Sequence, residues 1–426
     1  MSEPPPLPEA VEVQLGKIDR ADLLVGIPSY NNARTIGHVV RATAAGLTKY
    51  FPGAKAVIVN SDGDSTDGTQ EIVAQAELSD LATILVSQPT TPIARIVTPY
   101  HGIPGKGSAF RTIFQIADRL EVGACAVVDS DLRSIRPEWL ELLLRPILEG
   151  HFDYVAPLYW RHKFDGTITN SIVYPVTRAL YGKRIRQPIG GEFGFSRSLA
   201  SAFLTKPVWE TDVARFGIDI WMTTTAIAGG FRVCQAYLGA KLHDAKDPGG
   251  DLTAMMTQVV GSCFDLIESY ASIWFGRRGS QGVPLFGFPH AVGVEDIQVN
   301  VERMISIFGQ GLGDLEELLG KILPPRLMDA LREAAAAPSS AFRIADPIWA
   351  ETVYRFALAH HRKVLPRDHL LRLLIPLYLG RTASFVLEMW EASPEEAEAR
   401  IEKLALVFEE TKPLFETEWN GGDSND

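Results

Sequence analysis

The chain has 426 residues with 46% hydrophobic and 22% charged side chains, a composition of folded globular proteins rather than disordered or fibrous ones. Its length passes the size at which one core normally stops growing, so two domains, or one with an appendage, are expected. A formal net charge of -11 argues against a protein that wraps nucleic acid, whose phosphates demand clustered Lys and Arg.

The amino terminus has no basic region followed by an apolar run, so residues 1–20 read as a disordered tail and not a secretory signal. From residue 21 to 160 short apolar runs at 23–27, 56–59, 83–86, 124–128 and 154–157 alternate with helical patterns. This is the signature of βαβ units and a mostly parallel sheet covered on both faces. Ile36, Val39, Val40 and Leu47 fall on one helical stripe, as do Ile113, Ile116, Ala117 and Leu120, and then Trp139, Leu142, Leu143 and Ile147. Asp67 and Gln70 read as a capping box for a helix starting near Thr69. Residues 161–289 are less regular, with glycine pairs at Gly190-Gly191 and Gly229-Gly230, and read as an acceptor-binding half. Residues 290–420 are all-helical, with expected helices at 301–322, 325–336, 348–361, 367–389 and 395–415. The stretch around 370–387 is the most lipid-like, but Arg372, Pro376 and Arg381 interrupt it and no membrane span is expected. Cys125, Cys234 and Cys263 each sit in an apolar stretch and read as buried thiols of a reducing, cytoplasmic compartment. His360 and His361, adjacent on a helix, point to different faces and are assigned to the surface or an interface.

Four segments carry chemistry. PSYNN after the first strand offers the Tyr30 ring for stacking and the Asn32 amide, in a turn that faces the cleft of an open α/β sheet; an ordinary capped turn fits that fragment equally well. The loop from Asn60 to Thr69 is dense in acceptors suited to a ribose or an imide edge. PGKGS places glycines and Lys106 before a helix start, where a phosphate is favoured, though without P-loop spacing. VVDSD ends an apolar strand with Asp129 and Asp131, which by period two face one side of an extended segment. One is then suited to a sugar or ribose and the other to a divalent cation. His243, followed by Asp244 and Asp247, is suggestive of a metal ligand. Lys183, Arg184 and Arg186 form a basic cluster suited to an acceptor carboxylate or phosphate, or a solvated basic loop.

PSYNN, SDGDSTDGT, PGKGSAFRT, VVDSDL, QPIGGEFGFSR, FGIDIWM and KLHDAKD, taken in order over 23–247, resemble the retaining glucosyl-3-phosphoglycerate synthases and the related glucosylglycerate and mannosylglycerate synthases. The resemblance implies a GT-A fold: Rossmann-like, a mostly parallel sheet flanked by helices, here with an all-helical C-terminal region. It implies transfer of a hexose, glucose favoured, from a GDP- or UDP-sugar to glycerate or 3-phosphoglycerate, with mannosyl transfer as the nearest variant and Mg2+ or Mn2+ as cofactor. Asp131 and His243 become metal ligands, and Lys106 a partner of the donor diphosphate. Pro28, Tyr30, Asn32, Ser61, Asp62, Asp129 and Ser130 surround the nucleotide-sugar, with the base contact open between Ser61 and Asp62 because the loop is one residue longer than the family pattern. Asp131, Asp219 and Glu192 are the candidate catalytic residues, Asp219 standing where the family carries the longer Glu. Arg184, Arg186, Gly190 and Gly191 are the candidate acceptor residues. No QxxRW box marks a processive transferase, and no early GxGxR loop a pyrophosphorylase. A homodimer is expected, with no nucleic-acid or membrane partner. A catalytically silent sugar-nucleotide sensor is the reading from another class.

Overall fold

The computed structural model describes residues 7–18, 20–76, 93–99, 104–242 and 253–421. The chain divides into two compact units: Met1–Trp160 with Gln187–Asp244 and Val283–Val294, and Arg161–Arg186 with Ala245–Gly282 and Glu295–Asp426. Residues 161–289 are thus shared between the units.

The first unit is built on β1 (Leu23–Ser29), β2 (Ala56–Asp62), β3 (Ala94–Pro99), β4 (Ala124–Val127), β5 (Tyr154–Trp160), β7 (Phe193–Ser196), β8 (Val233–Ala240) and β10 (Leu285–Phe286). Two short strands of the second unit, β6 (Lys183–Arg184) and β9 (Gln281–Gly282), form a separate two-stranded sheet. The large sheet runs β10-β8-β5-β7-β4-β1-β2-β3, with β7 antiparallel to both neighbours and every other pairing parallel. A parallel sheet needs apolar cover on both faces. Accordingly β1, β2, β4 and β8 are buried throughout, and the stripes of Ile36–Tyr50 and Glu138–Leu148 enter one continuous core. This is the mostly parallel, GT-A-like sheet that the motifs imply.

Two local expectations are corrected, and a third falls outside the described residues. The strand expected at 83–86 lies outside the described residues, whereas β3 was not anticipated. It is the sheet's edge, and its Arg95 caps the helix Thr69–Gln75 through the carbonyls of Val73 and Ala76, at 2.8 and 2.6 Å. Asp67 and Gln70 make no capping box: Asp67 accepts from the Thr69 N–H at 3.1 Å, while Gln70 donates to Asp62 at 2.8 Å. Within the expected tail 1–20, Glu9–Leu15 is helical with Val11 and Leu15 buried.

The second unit is helical. Pro394–Trp419, Arg367–Glu388, Thr253–Ser269 and Asp346–His361 are, in that order, its longest helices among the described residues. Arg367–Glu388 is, among the described residues, the one helix long and apolar enough by composition to cross a membrane. Leu370, Leu374, Leu377 and even Arg381 are buried within this unit. His360 and His361 stand at a helix end, bonded to Asp265 and Glu268, with His361 stacked on Trp419 at 3.8 Å.

Candidate active site

Ligands of open α/β sheets bind beyond the carboxyl ends of the strands, and the first unit gathers its polar residues there. β1 pairs with β2 as far as Ser29 and Asp62, but with β4 only to Gly26 and Val127. Pro28, which lacks a donor, falls where one neighbour has already ended.

The two loops that follow are bonded into one platform. The Asp62 carboxylate accepts from the Ser29 hydroxyl (2.6 Å), the Ser65 amide (2.7 Å), the Ser65 hydroxyl (2.8 Å) and Gln70 (2.8 Å). Asn31, at φ 53°, donates its N–H to Ser65 and accepts from the Thr66 amide. The amides of Asn32 and Ala33 donate to Thr69 and Asp67. Ser61 and Asp62 are therefore corrected. Both are fully buried, and four donors occupy the Asp62 oxygens, so neither side chain is presented to a base. They shape the platform from which Tyr30 projects with 63% of its surface exposed. The Asn32 amide oxygen is likewise engaged, accepting from the Tyr30 N–H at 3.0 Å and the Ser130 hydroxyl at 2.7 Å; Thr35 in turn donates to the Ser130 carbonyl at 2.8 Å. Ser130 thus ties the tyrosine turn to the acidic turn.

Beyond β4 the expected alternation fails. The strand ends at Val127, and Ser130 and Asp131 lie in a turn, so period two does not govern the two carboxylates. Asp129 joins a buried charge cluster: Lys106 Nζ, on the first residue of the helix Lys106–Arg119, is 2.7 Å from Asp129 and 3.1 Å from Asp219. Lys241, immediately after β8, lies 3.1 Å from the other Asp129 oxygen, 2.8 Å from Glu192 and 2.8 Å from the Gly190 carbonyl. The Tyr159 hydroxyl of β5 donates to Glu192. Asp131 is half-buried, and among the described residues its carboxylate meets no hydrogen-bond or ion-pair partner.

Burial alone would raise every carboxyl here and lower every lysine; the pairings decide each outcome. Burial pushes Asp129 up, but Lys106 and Lys241 outweigh it and hold its carboxyl well below the usual range. Asp219, with Lys106 opposing its burial and Asp129 adding repulsion, stays raised. Glu192 is raised by burial, against the pull of Lys241, to about 7. Burial acts to lower Lys106, yet Asp129 and Asp219 together lift it above its ordinary value.

Gly191 shows how closely the backbone approaches this cluster. Its φ is +93°, and a Cβ there would stand 2.2 Å from Asp129 Oδ2 and 2.7 Å from Lys241 Nζ; only glycine fits. Glu192 is a second correction. It has no exposed surface, and its oxygens are held by Lys241 and Tyr159, an arrangement that suits orienting those side chains. The acceptor candidates separate. Gly190 and Gly191 belong to the first unit, Arg184 and Arg186 to the second. Arg184 is exposed. Arg186 is corrected: its guanidinium is bound to Glu398 at 2.6 and 2.9 Å and to Asn170 at 2.9 Å, so it holds helices together. His243, with Asp244 and Asp247, lies outside the described residues. Sequence reasoning missed Lys241 and Tyr159; a cation directly after a mostly apolar strand was the one available signal.

A platform, an exposed ring and a lysine-carboxylate cluster thus gather beyond the carboxyl ends of the strands. Residues 24–203 match the model described as glycosyl transferase family 2, a span that contains every residue of the cluster except Asp219 and Lys241. In sequence the chain resembles the glucosyl-3-phosphoglycerate synthase of Persephonella marina, 28% identical over 149 residues, covering 31% of this chain and 36% of that one. The match thus spans about a third of that relative's length. Among solved structures, glucosyl-3-phosphoglycerate synthase of Mycobacterium tuberculosis with Mn2+, UDP-glucose and phosphoglyceric acid aligns at 22% identity and TM-score 0.45, over 62% of this chain and 86% of that one. The same enzyme with Mg2+ and UDP aligns at 22% identity and TM-score 0.44, over 62% and 85%.

Proposed function

We propose that this protein is a retaining, metal-dependent hexosyltransferase that moves glucose from a UDP- or GDP-sugar to glycerate or 3-phosphoglycerate. The observation that carries the reading is Lys106, held at a helix start between two carboxylates beyond the carboxyl ends of the strands, beside a turn whose aromatic ring is exposed. A helix amino end and an ammonium suit a diphosphate, and a solvent-facing ring suits a base.

The residues also suit a divalent cation. Asp129 is already neutralised by two lysines, whereas the half-buried Asp131 carboxylate has no partner among the described residues, the hard oxygen donor that Mg2+ or Mn2+ requires. Asp131 would hold the ion, with His243 as the second ligand the motif supplies. When bound, the ion adds positive charge at the diphosphate oxygens as the anomeric bond breaks. The protein's own residues do the rest: Tyr30 positions the base, Lys106 binds the diphosphate, and Gly191 keeps the floor of the pocket free of a side chain next to Asp129. The acceptor hydroxyl oxygen bonds to the anomeric carbon as the bond to the diphosphate oxygen breaks, and its proton leaves with the diphosphate or to Asp219.

The test is a panel of UDP- and GDP-glucose and -mannose against glycerate and 3-phosphoglycerate, with Mg2+, Mn2+ or chelator. Metal-dependent nucleotide release that rises on adding acceptor is expected, with an α-linked product by proton coupling. Tight nucleotide binding without acceptor-stimulated release would instead identify a silent sensor, and a β-linked product would overturn retention.

A further inference from the structure

The five ionisable groups of the site alternate in kind, carboxyl and ammonium: buried Glu192, Lys241 and Asp219, with partly buried Asp129 and Lys106. The links differ in security. Asp129 has a lysine on each oxygen, at 2.7 and 3.1 Å. Among the described residues Asp219 pairs directly with Lys106 alone, at 3.1 and 3.4 Å. Three carboxyl groups face two ammonium groups, so even with a proton on Glu192 the cluster has no net positive charge before any ligand arrives. A diphosphate brought to Lys106 adds negative charge, in a partly buried setting where like charges repel more strongly than in water. One carboxylate must then loosen. Asp129 stays neutralised by Lys241, so the longer bond, to Asp219, is the one that yields.

On the reading above, in which Lys106 meets the diphosphate, we infer that the nucleoside diphosphate and the Asp219 carboxylate compete for the Lys106 ammonium, so that donor binding itself frees Asp219 for the transfer step. Asp219 is locked while the site is empty, and becomes an acceptor of hydrogen bonds from sugar or acceptor hydroxyls only once the donor is seated. Lys241 is the positioning residue that makes this exchange possible, because it keeps Asp129 from following Lys106.

Competition makes a prediction of unusual sign: removing an active-site carboxylate should tighten the ligand. Calorimetric titration of UDP and GDP at fixed Mg2+ into the full chain tests it. Asp219→Asn should bind the nucleotide that the wild type prefers about tenfold more tightly, the scale of one charge-assisted hydrogen bond no longer displaced, and Asp219→Ser should do the same if the asparagine variant fails to fold. Simple relief of repulsion would also tighten binding, so the cycle is closed on Lys106→Met. In that background the Asp219 change should alter affinity by less than about twofold, because the contested ammonium is gone. An equal gain in both backgrounds, or no gain with Lys106 present, overturns the competition while leaving the transferase reading intact. A wild-type chain that binds neither nucleotide overturns that reading instead.

Discussion

Each unit buries a network of opposite charges, and they are built from different chemistry. In the helical unit Asp346 accepts Arg381 on one oxygen and Arg400 on both, all at 2.7 Å, and Arg400 reaches on to Glu388 at 2.7 Å. Those residues come from the start of Asp346–His361, the body and end of Arg367–Glu388 and the second turn of Pro394–Trp419, so the network locks three helices. Guanidinium forks fix direction as well as charge. Burial pushes Arg381 down, against Asp346, to about 10. In the α/β unit the cations are lysines, point charges on flexible stems that can exchange partners, and a glycine at positive φ leaves the cluster open beside them. Alternating buried charge is therefore no mark of function in itself; the re-pairable donor and the missing Cβ are.

Two substitutions would break that contrast if it is wrong. Asp131→Ala removes a carboxylate that no described partner uses. It should lower transfer by about three powers of ten, the scale of a lost metal contribution of several kcal/mol, with an unchanged melting curve. Unchanged turnover would remove the metal role assigned to it. Arg381→Met does the reverse, taking a guanidinium from a buried pair, a change that costs about 3–5 kcal/mol. Denaturant unfolding should show that loss, while nucleotide affinity of the folded protein stays as it was; a shift in affinity without loss of stability would contradict a purely architectural network.

What the sequence revealed, and what it concealed, follows from range. Strand ends and their polar turns were legible because parallel strands are short apolar runs with abrupt polar ends, as at Ile27 to Tyr30 and Val128 to Asp131. The side of the chain on which a residue emerges was not. Between Leu158 and Tyr159 the pairing of β5 with β8 skips a residue, Leu158 opposing Tyr237 and Tyr159 opposing Gly239, whose φ is +81°. A bulge of one residue reverses which face follows it, and Lys241 comes two residues later. Nothing in KLHDAKD announces that. The division of 161–289 was hidden for a similar reason: Arg178 bonds Glu409 at 2.6 Å, a partner 231 residues away, and such pairings are invisible to local pattern. The polar turn of PSYNN was legible; that Asp62 joins it to the following loop required its four donors to be seen.

Glu192 offers a smaller effect with a defined sign. Its carboxyl titrates near 7 in the folded protein against 4.5 ordinarily, so the folded state holds a proton that the unfolded chain has already released across that window. A raised carboxyl contributes stability that is complete below the unfolded value and is lost as pH rises through the folded one. Over about two and a half units this amounts to about 3 kcal/mol. Urea midpoints should therefore fall between pH 4.5 and 7, and Glu192→Gln should flatten that slope. An equally steep slope in the variant would mean that another group titrates. Asp129 works oppositely: its depressed carboxyl adds stability that is lost only as pH drops below the ordinary carboxylate range.

The gentlest change is Tyr30→Ala. The ring is 63% exposed, so its removal should leave stability within about 0.5 kcal/mol. If the base stacks on it, the nucleotide-sugar KM should rise about tenfold, in line with 1–3 kcal/mol per stacked base, with kcat hardly altered, because stacking is felt equally in ground and transition states. Tyr30→Phe should restore the affinity, since the face of the ring and not its hydroxyl makes the contact. A loss shared by the phenylalanine variant would point to the hydroxyl, and no loss in either would place the base elsewhere on the platform that Asp62 organises.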